Sequence, residues 1–195
     1  MRRSASSTAE SLFRQSLALA EELGDRKGIA KAHRGLGFVV GVARGNPAAT
    51  VPIFEKAAAL FEELGDRSEL WETLVALGNA TRFSGDKERA RGHYLRGLDM
   101  MLTAGNRPMS TGLLFLLAAL DSEMGRHERA TRLYGAGESA REVTGAVTTP
   151  VAGRLMGDPV GMARQAIGDQ AVDRALAEGR AMDRDAAIAY APEDS

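Results

Sequence analysis

The side chains that most often carry catalysis or bind metal ions are few in this sequence. It has 195 residues, no cysteine and three histidines: His33, His93 and His127. No two histidines are four residues apart, the spacing with which one helix offers two imidazoles to a metal ion. We expect His33 beside a helical core face, His93 facing outward and His127 at a helix start. We therefore predict no metal site and no catalytic histidine.

The glycine-rich stretch from Gly35 to Gly41 superficially looks like a dinucleotide-binding loop. Such a loop lies between a strand and a helix, where its backbone can approach a pyrophosphate. These glycines instead fall inside a predicted helix, and no Gly-Lys-Ser/Thr phosphate loop occurs in the sequence. No serine or aspartate has a base and an oxyanion glycine beside it in a nucleophile motif. We therefore predict a protein that is not an enzyme and that needs no cofactor.

The balance of charge excludes some classes of partner. There are 25 Lys+Arg and 26 Asp+Glu, which give a formal net charge of -1. A surface that grips nucleic acid throughout would be basic, so we expect no specific DNA binding by this chain. No apolar stretch approaches the roughly 18–20 residues that span a bilayer, and residues 1–7 lack the apolar core of a signal peptide. We expect a cytoplasmic protein that does not bind membranes.

An internal repeat of about 40 residues organises most of the chain. Its aromatic positions are spaced 41, 40 and 40 residues apart: Phe13, Phe54, Tyr94 and Tyr134. A small residue or threonine lies four residues before each aromatic, and a small residue lies three after it. These three positions share one face of a helix. The aromatic is therefore expected to fill the space between closely packed helices, and alanine-rich composition supports helix throughout.

Two interleaved glycine series predict two helices in each repeat. The first is Gly24, Gly65, Gly105 and Gly145, and the second is Gly45, Gly85 and Gly125. Glycine tolerates the left-handed conformation that ends helices. Asp25, Asn46, Asp66 and Asp86 have the side chains that cap helix starts. The predicted helices are 8–23, 26–44, 47–64, 67–84, 87–103, 108–124 and 127–143, with shorter helices starting near Pro159, Asp169 and Asp183.

These patterns resemble tetratricopeptide repeats of the longer, 40-residue kind. The Leu-Gly pair of that repeat's first helix is matched by Leu36-Gly37 and Leu77-Gly78, and less well by Leu117-Ala118. The resemblance implies an all-α, right-handed superhelical solenoid of antiparallel helix pairs. We expect repeats over 1–149, with an incomplete first repeat at 8–24 followed by 26–64, 67–104 and 108–145. A non-repeat helical cap is expected over 150–195.

In such a repeat stack the first helices line a concave groove. Counting from the Leu-Gly pairs, the residues expected to face this groove are Lys31, Arg34, Phe38, Glu72, Val75, Asn79, Arg82, Phe115, Ala119 and Ser122. The cations and Asn79 suit a carboxylate or phosphate, because charge-assisted hydrogen bonds are strong. The two phenylalanines suit an apolar group. An ordinary solvated groove without a specific ligand is the alternative.

The C-terminal part is similar to the end of the helical-repeat region in large ATP-binding transcriptional regulators of the LuxR type. The resemblance rests on residues 130–138, with the sequence ATRLYGAGE, and on the later small–Glu–Gly–Arg–small motif at 177–181. Val172 and Leu176 stand where bulky aromatics are usual in that family. The resemblance implies the signal-receiving region of a bacterial regulator, binding a protein segment or a small effector. A free-standing adaptor that mediates protein–protein contacts is the alternative.

The first helix is the second half of a repeat whose first half is missing from this sequence. It presents Leu12 and Leu19 on an outer stripe that no preceding helix covers. We expect either a longer repeat array or a weak homodimer through this helix, because burying apolar surface is favourable.

Overall fold

The computed structural model describes residues 2–44, 46–103, 107–145 and 150–193, and within them the chain is all-helical, without strands. Helix boundaries follow from capping chemistry. Carboxylates accept backbone N–H bonds at helix starts, from Gly28 to Asp25 (2.9 Å), from Glu69 to Asp66 (3.2 Å) and from Arg89 to Asp86 (3.2 Å). The helices are α1 (Arg2–Leu23), α2 (Arg26–Arg44), α3 (Val51–Glu63), α4 (Arg67–Ser84), α5 (Lys87–Thr103), α6 (Arg107–Glu123), α7 (His127–Thr144), α8 (Pro150–Met156), α9 (Pro159–Ile167), α10 (Asp169–Ala181) and α11 (Arg184–Tyr190).

The predicted glycine caps are confirmed where the structure describes them. Gly24, Gly65, Gly85, Gly125 and Gly145 all have a positive φ, between 65° and 99°. That conformation ends a helix at little cost only when the residue has no Cβ. The other two members of the series, Gly45 and Gly105, lie outside the described residues.

Three features of the helices differ from the prediction by more than one residue. Helix α1 begins at Arg2 rather than residue 8, and α8 was not expected. The predicted helix 47–64 is divided into a short 3-10 helix, Pro47–Ala49, and α3. At the division, the hydroxyl of Thr50 donates to the carbonyl of Pro47 (2.7 Å), and Pro52 follows at the start of α3. Proline suits a helix start because it lacks the N–H that a helix interior requires.

The chain forms two compact units, residues 1–97 and 98–195. In the first unit, α1, α2, α3 and α4 pack in order, each on the next. Two predicted aromatic positions have the same environment there. A Cβ built on Gly37 would lie 2.7 Å from the ring of Phe54, and one on Gly78 would lie 2.5 Å from the ring of Tyr94. The glycine of each Leu-Gly pair thus lets an aromatic ring reach the backbone of the neighbouring helix.

Phe13 at the N-terminal end packs in a related way, its ring 2.2 Å from a Cβ built on Gly35. Because Gly35 belongs to the following helix pair, this contact joins α1 to α2. Phe54 and Tyr94 are buried, whereas Phe13 is only partly buried.

In the second unit, α7 is the central element. It packs against α6, α9, α10 and α11, while α8 packs on α6. The third repeat has Ala118 in place of glycine, and the ring of Tyr134 meets Phe115 edge to face, with centroids 5.2 Å apart. The helices after residue 150 therefore share one compact unit with the last repeat. The predicted domain boundary between 149 and 150 falls inside this unit, at a segment outside the described residues.

Within the described ranges, none of the helices combines the length and the apolar character needed to cross a membrane.

Candidate functional site

The predicted groove residues of the first unit lie on α2 and α4, and several ion pairs connect these two helices. The guanidinium of Arg34 on α2 contacts both Glu69 (2.6 Å) and Glu72 (2.9 Å) on α4. The ammonium of Lys31 lies 3.2 Å from the other Glu69 oxygen. We call Lys31, Arg34, Phe38, Glu72, Val75 and Asn79 the α2–α4 face.

A further ion pair extends the same row toward the helix starts. The ammonium of Lys27 lies 2.7 Å from Asp66. The hydrogen bond from Lys27 lowers the pKa of Asp66, and the same bond raises the pKa of Lys27. Cations thus come from α2 and carboxylates from α4, so each partly neutralises the other. The face therefore presents paired charges of both signs, which differs from the predicted cluster of cations for a carboxylate or phosphate.

The α2–α4 face also carries an open aromatic ring. Phe38 is 53% exposed, and its ring meets the buried Phe54 edge to face at 5.2 Å. Asn79, one helix across, is partly buried and accepts a 2.7 Å hydrogen bond at Oδ1 from the hydroxyl of Tyr94. This bond fixes the amide, so its NH₂ group is directed away from Tyr94. The face thus combines paired charges, an exposed ring and an oriented amide.

Four other predicted groove residues are buried rather than open. Arg82 is 5% exposed, and its guanidinium lies 5.2 Å from the Phe83 ring centre. In the second unit Phe115, Ala119 and Ser122 belong to the interior of their unit. Phe115 fills the space beside Gly137 and Tyr134, and the Ser122 hydroxyl lies 3.7 Å from the Met162 sulfur. The helices after residue 150, which the repeat pattern does not predict, place Met162 there.

The histidines are distributed over three helices. Burial lowers the pKa values of His33 and His93, and the positive charges of Lys56 and Arg89, respectively, lower them further. His93 is partly buried rather than facing outward as expected, and His127 begins α7 as predicted. Buried nitrogens of both, Nε2 of His93 and Nδ1 of His127, have no hydrogen-bond partner in the described structure. Across the described residues, no three acidic or histidine side chains are grouped as a metal site would require.

The two C-terminal sequence motifs meet where α7 crosses α10. A Cβ on Gly179 would lie 2.1 Å from the carbonyl oxygen of Arg132, and one on Gly135 would lie 2.6 Å from that of Leu176. The backbones therefore approach too closely for larger residues. Arg132 pairs with Glu178 (2.6 Å) on one side of the crossing, and Arg180 pairs with Glu138 (2.6 Å) on the other. The small–Glu–Gly–Arg–small motif thus supplies the helix crossing and both ion pairs.

A buried ion pair fastens the last helix to this unit. Arg129 and Asp121 are almost fully buried, with 2.9 Å between Nε and the carboxylate. The remaining guanidinium nitrogens donate to the carbonyls of Tyr190 (3.3 Å) and Ala191 (2.6 Å). The guanidinium also lies over the Tyr190 ring, 5.1 Å from its centre. Each side of this cation thus has an oxygen or aromatic partner, as a buried charge requires.

Sequence reasoning missed Glu69, which joins Lys31 to Arg34, and it missed Arg129. Glu69 had a signal, because Asp66, Glu69 and Glu72 recur every three residues and Lys27, Lys31 and Arg34 recur at four and three. Such spacings place each set along one helix face. No pattern in the sequence indicates the role of Arg129, since its partners at Tyr190 and Ala191 are backbone carbonyls about 60 residues away.

Comparison with known proteins gives partial similarity. No model of a protein family matches the chain. Two curated proteins, from Mycobacterium tuberculosis strain H37Rv and from Mycobacterium bovis, are each named "Putative HTH-type transcriptional regulator". The chain is 42% identical to each over 76 residues, which are 39% of this chain and 9% of the mycobacterial protein. The chain is thus a partial homologue that spans about a tenth of those relatives, consistent with a transcriptional-regulator context.

Proposed function

We propose that the chain is a non-catalytic, tetratricopeptide-like module of a cytoplasmic bacterial transcriptional regulator of the LuxR type, and that it receives a signal by binding a protein segment. The partial similarity to the two mycobacterial proteins supports the regulator context. The glycine–aromatic contacts of Phe54 and Tyr94 support the repeat interpretation. A free-standing adaptor remains the competing role.

The observation that carries the binding proposal is the α2–α4 face. A small anionic effector would meet Glu69 and Glu72 already seated on Arg34, so it would have to displace them. A peptide carries both charge signs, and its own acids and bases can exchange partners with this row. Its apolar side chains can cover Phe38, whose ring is more than half exposed. A polypeptide segment therefore fits this face better than an isolated phosphate or carboxylate.

The absence of catalysis is part of the proposal. The sequence offers no nucleophile with a neighbouring base. Neither His93 Nε2 nor His127 Nδ1 has the carboxylate that would orient a catalytic imidazole.

The test uses a display library of random 15-residue peptides, with selected sequences resynthesised and titrated by fluorescence anisotropy against the full chain. We expect Phe38→Ala and Glu72→Ala each to weaken binding by at least tenfold. Leu64→Ala, an exposed apolar control at the end of α3, should bind as the unmodified chain does. Failure to select any peptide, or equal binding by all variants, would contradict the proposed face.

Two further measurements address the regulator role. The Phe38→Ala substitution in the source organism should change a defined set of transcripts, whereas unchanged transcripts would favour the adaptor. The isolated chain should show no sequence-dependent shift of duplex DNA at moderate salt, because its charges are balanced.

A further inference from the structure

Two exposed phenylalanines lie in the C-terminal halves of α2 and α4. Phe38 on α2 is 53% exposed, and Phe83 on α4 is 48% exposed. Phe83 follows Glu72 by eleven residues, close to three turns, so these two residues share one stripe of α4. Phe38 follows Lys31 by seven residues, close to two turns, so it shares a stripe of α2 with that lysine. The α2–α4 face therefore continues as far as Phe83.

The ion pairs between the two helices define their register. They join residues that are 38 or 39 positions apart in the sequence: Lys27–Asp66, Lys31–Glu69 and Arg34–Glu72. A nearly constant offset means that α2 and α4 run parallel, with their N-terminal ends together. The charged groups therefore occupy the N-terminal half of the face, and the two phenylalanines occupy the C-terminal half. At 1.5 Å per residue, Phe38 lies about 16 Å beyond Lys27, and Phe83 lies about one to two turns further along.

At the N-terminal end of the face, the lysines are more accessible than the carboxylates that pair with them. The side chains of Lys27 and Lys31 are 53% and 51% exposed. Those of Asp66 and Glu69 are 18% and 19% exposed. An ammonium group has three N–H donors, and a bond to one carboxylate uses one of them. A partner that approaches from solvent thus meets N–H donors of two lysines, to which a carboxylate is complementary. We call Lys27 and Lys31 the lysine end.

The other end of the face offers apolar surface on rings that are already held in place. The ring of Phe38 rests on the buried ring of Phe54, and the guanidinium of Arg82 lies 5.2 Å from the centre of the Phe83 ring. We call Phe38 and Phe83 the aromatic end. Covering a restrained ring costs little conformational entropy and removes apolar area from water. Exposed ion pairs contribute little to affinity, so we expect the aromatic end to provide most of the affinity and the lysine end to provide orientation.

From this arrangement we propose that the partner of the α2–α4 face is a polypeptide segment with acidic residues at one end, on the lysine end, and apolar residues at the other, on the aromatic end. This inference rests on the peptide-binding function proposed above and adds the chemistry and the direction of the peptide. The face is roughly 25 Å long from Lys27 to Phe83, comparable to a 15-residue helix. A segment in the reverse direction would place its acids on phenyl rings and its apolar residues beside two ammonium groups.

Binding of one peptide to variants of the full chain tests both ends. The peptide is the tightest 15-residue binder from the display selection, titrated by fluorescence anisotropy. Phe83→Ala should weaken binding at least about fivefold, whereas Phe83→Tyr, which retains the ring, should bind as the unmodified chain does. Lys27→Gln together with Lys31→Gln should weaken binding about threefold or more at low salt, and the loss should shrink as salt is added. Lys56→Gln, at an exposed lysine of α3, is the matched control and should have no effect.

Double-mutant cycles assign each end of the peptide to one end of the face. Replacing the peptide's acidic residues by glutamine should weaken binding to the unmodified chain but cause no further loss with the double lysine variant. Replacing its apolar residues by alanine should show the same coupling to Phe83→Ala. Acidic residues that couple to Phe83, or effects that simply add, would overturn the proposed order.

The outcomes separate this inference from the proposed function. A peptide whose binding depends on Phe38 and Glu72 but changes with neither Phe83→Ala nor the double lysine variant would overturn the inference and leave the proposed function standing. A chain that selects no peptide would overturn both.

Discussion

Residues 1–97 and 98–195 use the same repeat positions differently. In the first segment, glycines 37 and 78 accept the rings of Phe54 and Tyr94, while Leu12, Leu19 and Leu23 of α1 and Phe38 of α2 stay exposed. In the second, Ala118 stands at the glycine position, and α9, α10 and α11 cover α7. The glycine–aromatic contacts of the first segment recur with the repeat and leave surface free for binding. The contacts of α9, α10 and α11 with α7 have no counterpart in the other repeats.

The largest expected effect comes from the buried pair of the second segment. Arg129→Ala removes the nearest counter-charge of the buried Asp121, leaving only the 3.5 Å pair with Arg126 among its ion pairs, and removes two hydrogen bonds at the end of the last helix. We expect a loss of about 3–5 kcal/mol in the free energy of unfolding, measured by urea denaturation. Arg174→Ala breaks an exposed ion pair to Glu128 (3.4 Å) and should cost less than about 1 kcal/mol. Equal losses in the free energy of unfolding for the two variants would mean that Arg129 does not hold α11 on this unit.

The first segment should depend in a comparable way on a repeated aromatic. Phe54 is buried against Gly37, Leu77 and Ala80. Phe54→Ala should therefore cost about 3–5 kcal/mol, and the loss should spread to adjoining helices because repeat arrays depend on neighbour contacts. Hydrogen exchange should show lost protection in α2 and α4. An unchanged melting temperature would contradict the proposed packing.

A smaller effect distinguishes a glycine at a close helix crossing from a glycine with open space around it. Gly179→Ala would place a Cβ 2.1 Å from the Arg132 carbonyl, so α7 and α10 must separate, at a cost of about 1–3 kcal/mol. Gly112 in α6, within the same segment, has nothing within 4 Å of a Cβ. Gly112→Ala should instead stabilise the chain by about 0.5–1 kcal/mol, because glycine is a poor helix former. Thermal melting of the two variants should shift in opposite directions.

The smallest effect concerns the exposed row of α2 and α4. The pKa of Asp66 is lowered in the folded chain, so its contribution to stability is present above its unfolded pKa, about 3.9. That contribution is lost as pH falls through the lower, folded value. Asp66→Asn retains a capping oxygen but not the charge. The difference in urea midpoint between unmodified chain and variant should therefore shrink below about pH 4, and a constant difference would contradict the assignment.

The sequence predicted most of the helices, because glycine caps and capping aspartates act within a few residues of where they stand. Asp158 and Asp183 accept the N–H groups of Gly161 and Ala186 (both 2.8 Å) at the predicted starts of α9 and α11. The paired state of the α2–α4 face was not predicted, because it depends on two helices about 40 residues apart coming side by side. The burial of Phe115 and Ser122 was missed for a related reason. Ser122 lies beside Met162, which follows no repeat, and the Phe115 ring packs on Tyr134 and Gly137 of the next helix. Counting from the Leu-Gly pairs therefore placed both residues in the open.

The contact of Arg129 with α11 depends on chain length more than on side-chain identity. Both acceptors are backbone carbonyls, at Tyr190 and Ala191, and every residue type supplies a carbonyl. Substitutions at Ala191 can therefore leave its bond to Arg129 intact. A deletion or insertion of one residue within α11 would instead turn the following carbonyls by about 100° around the helix axis. The C-terminal end of this unit should therefore tolerate substitutions but not insertions or deletions.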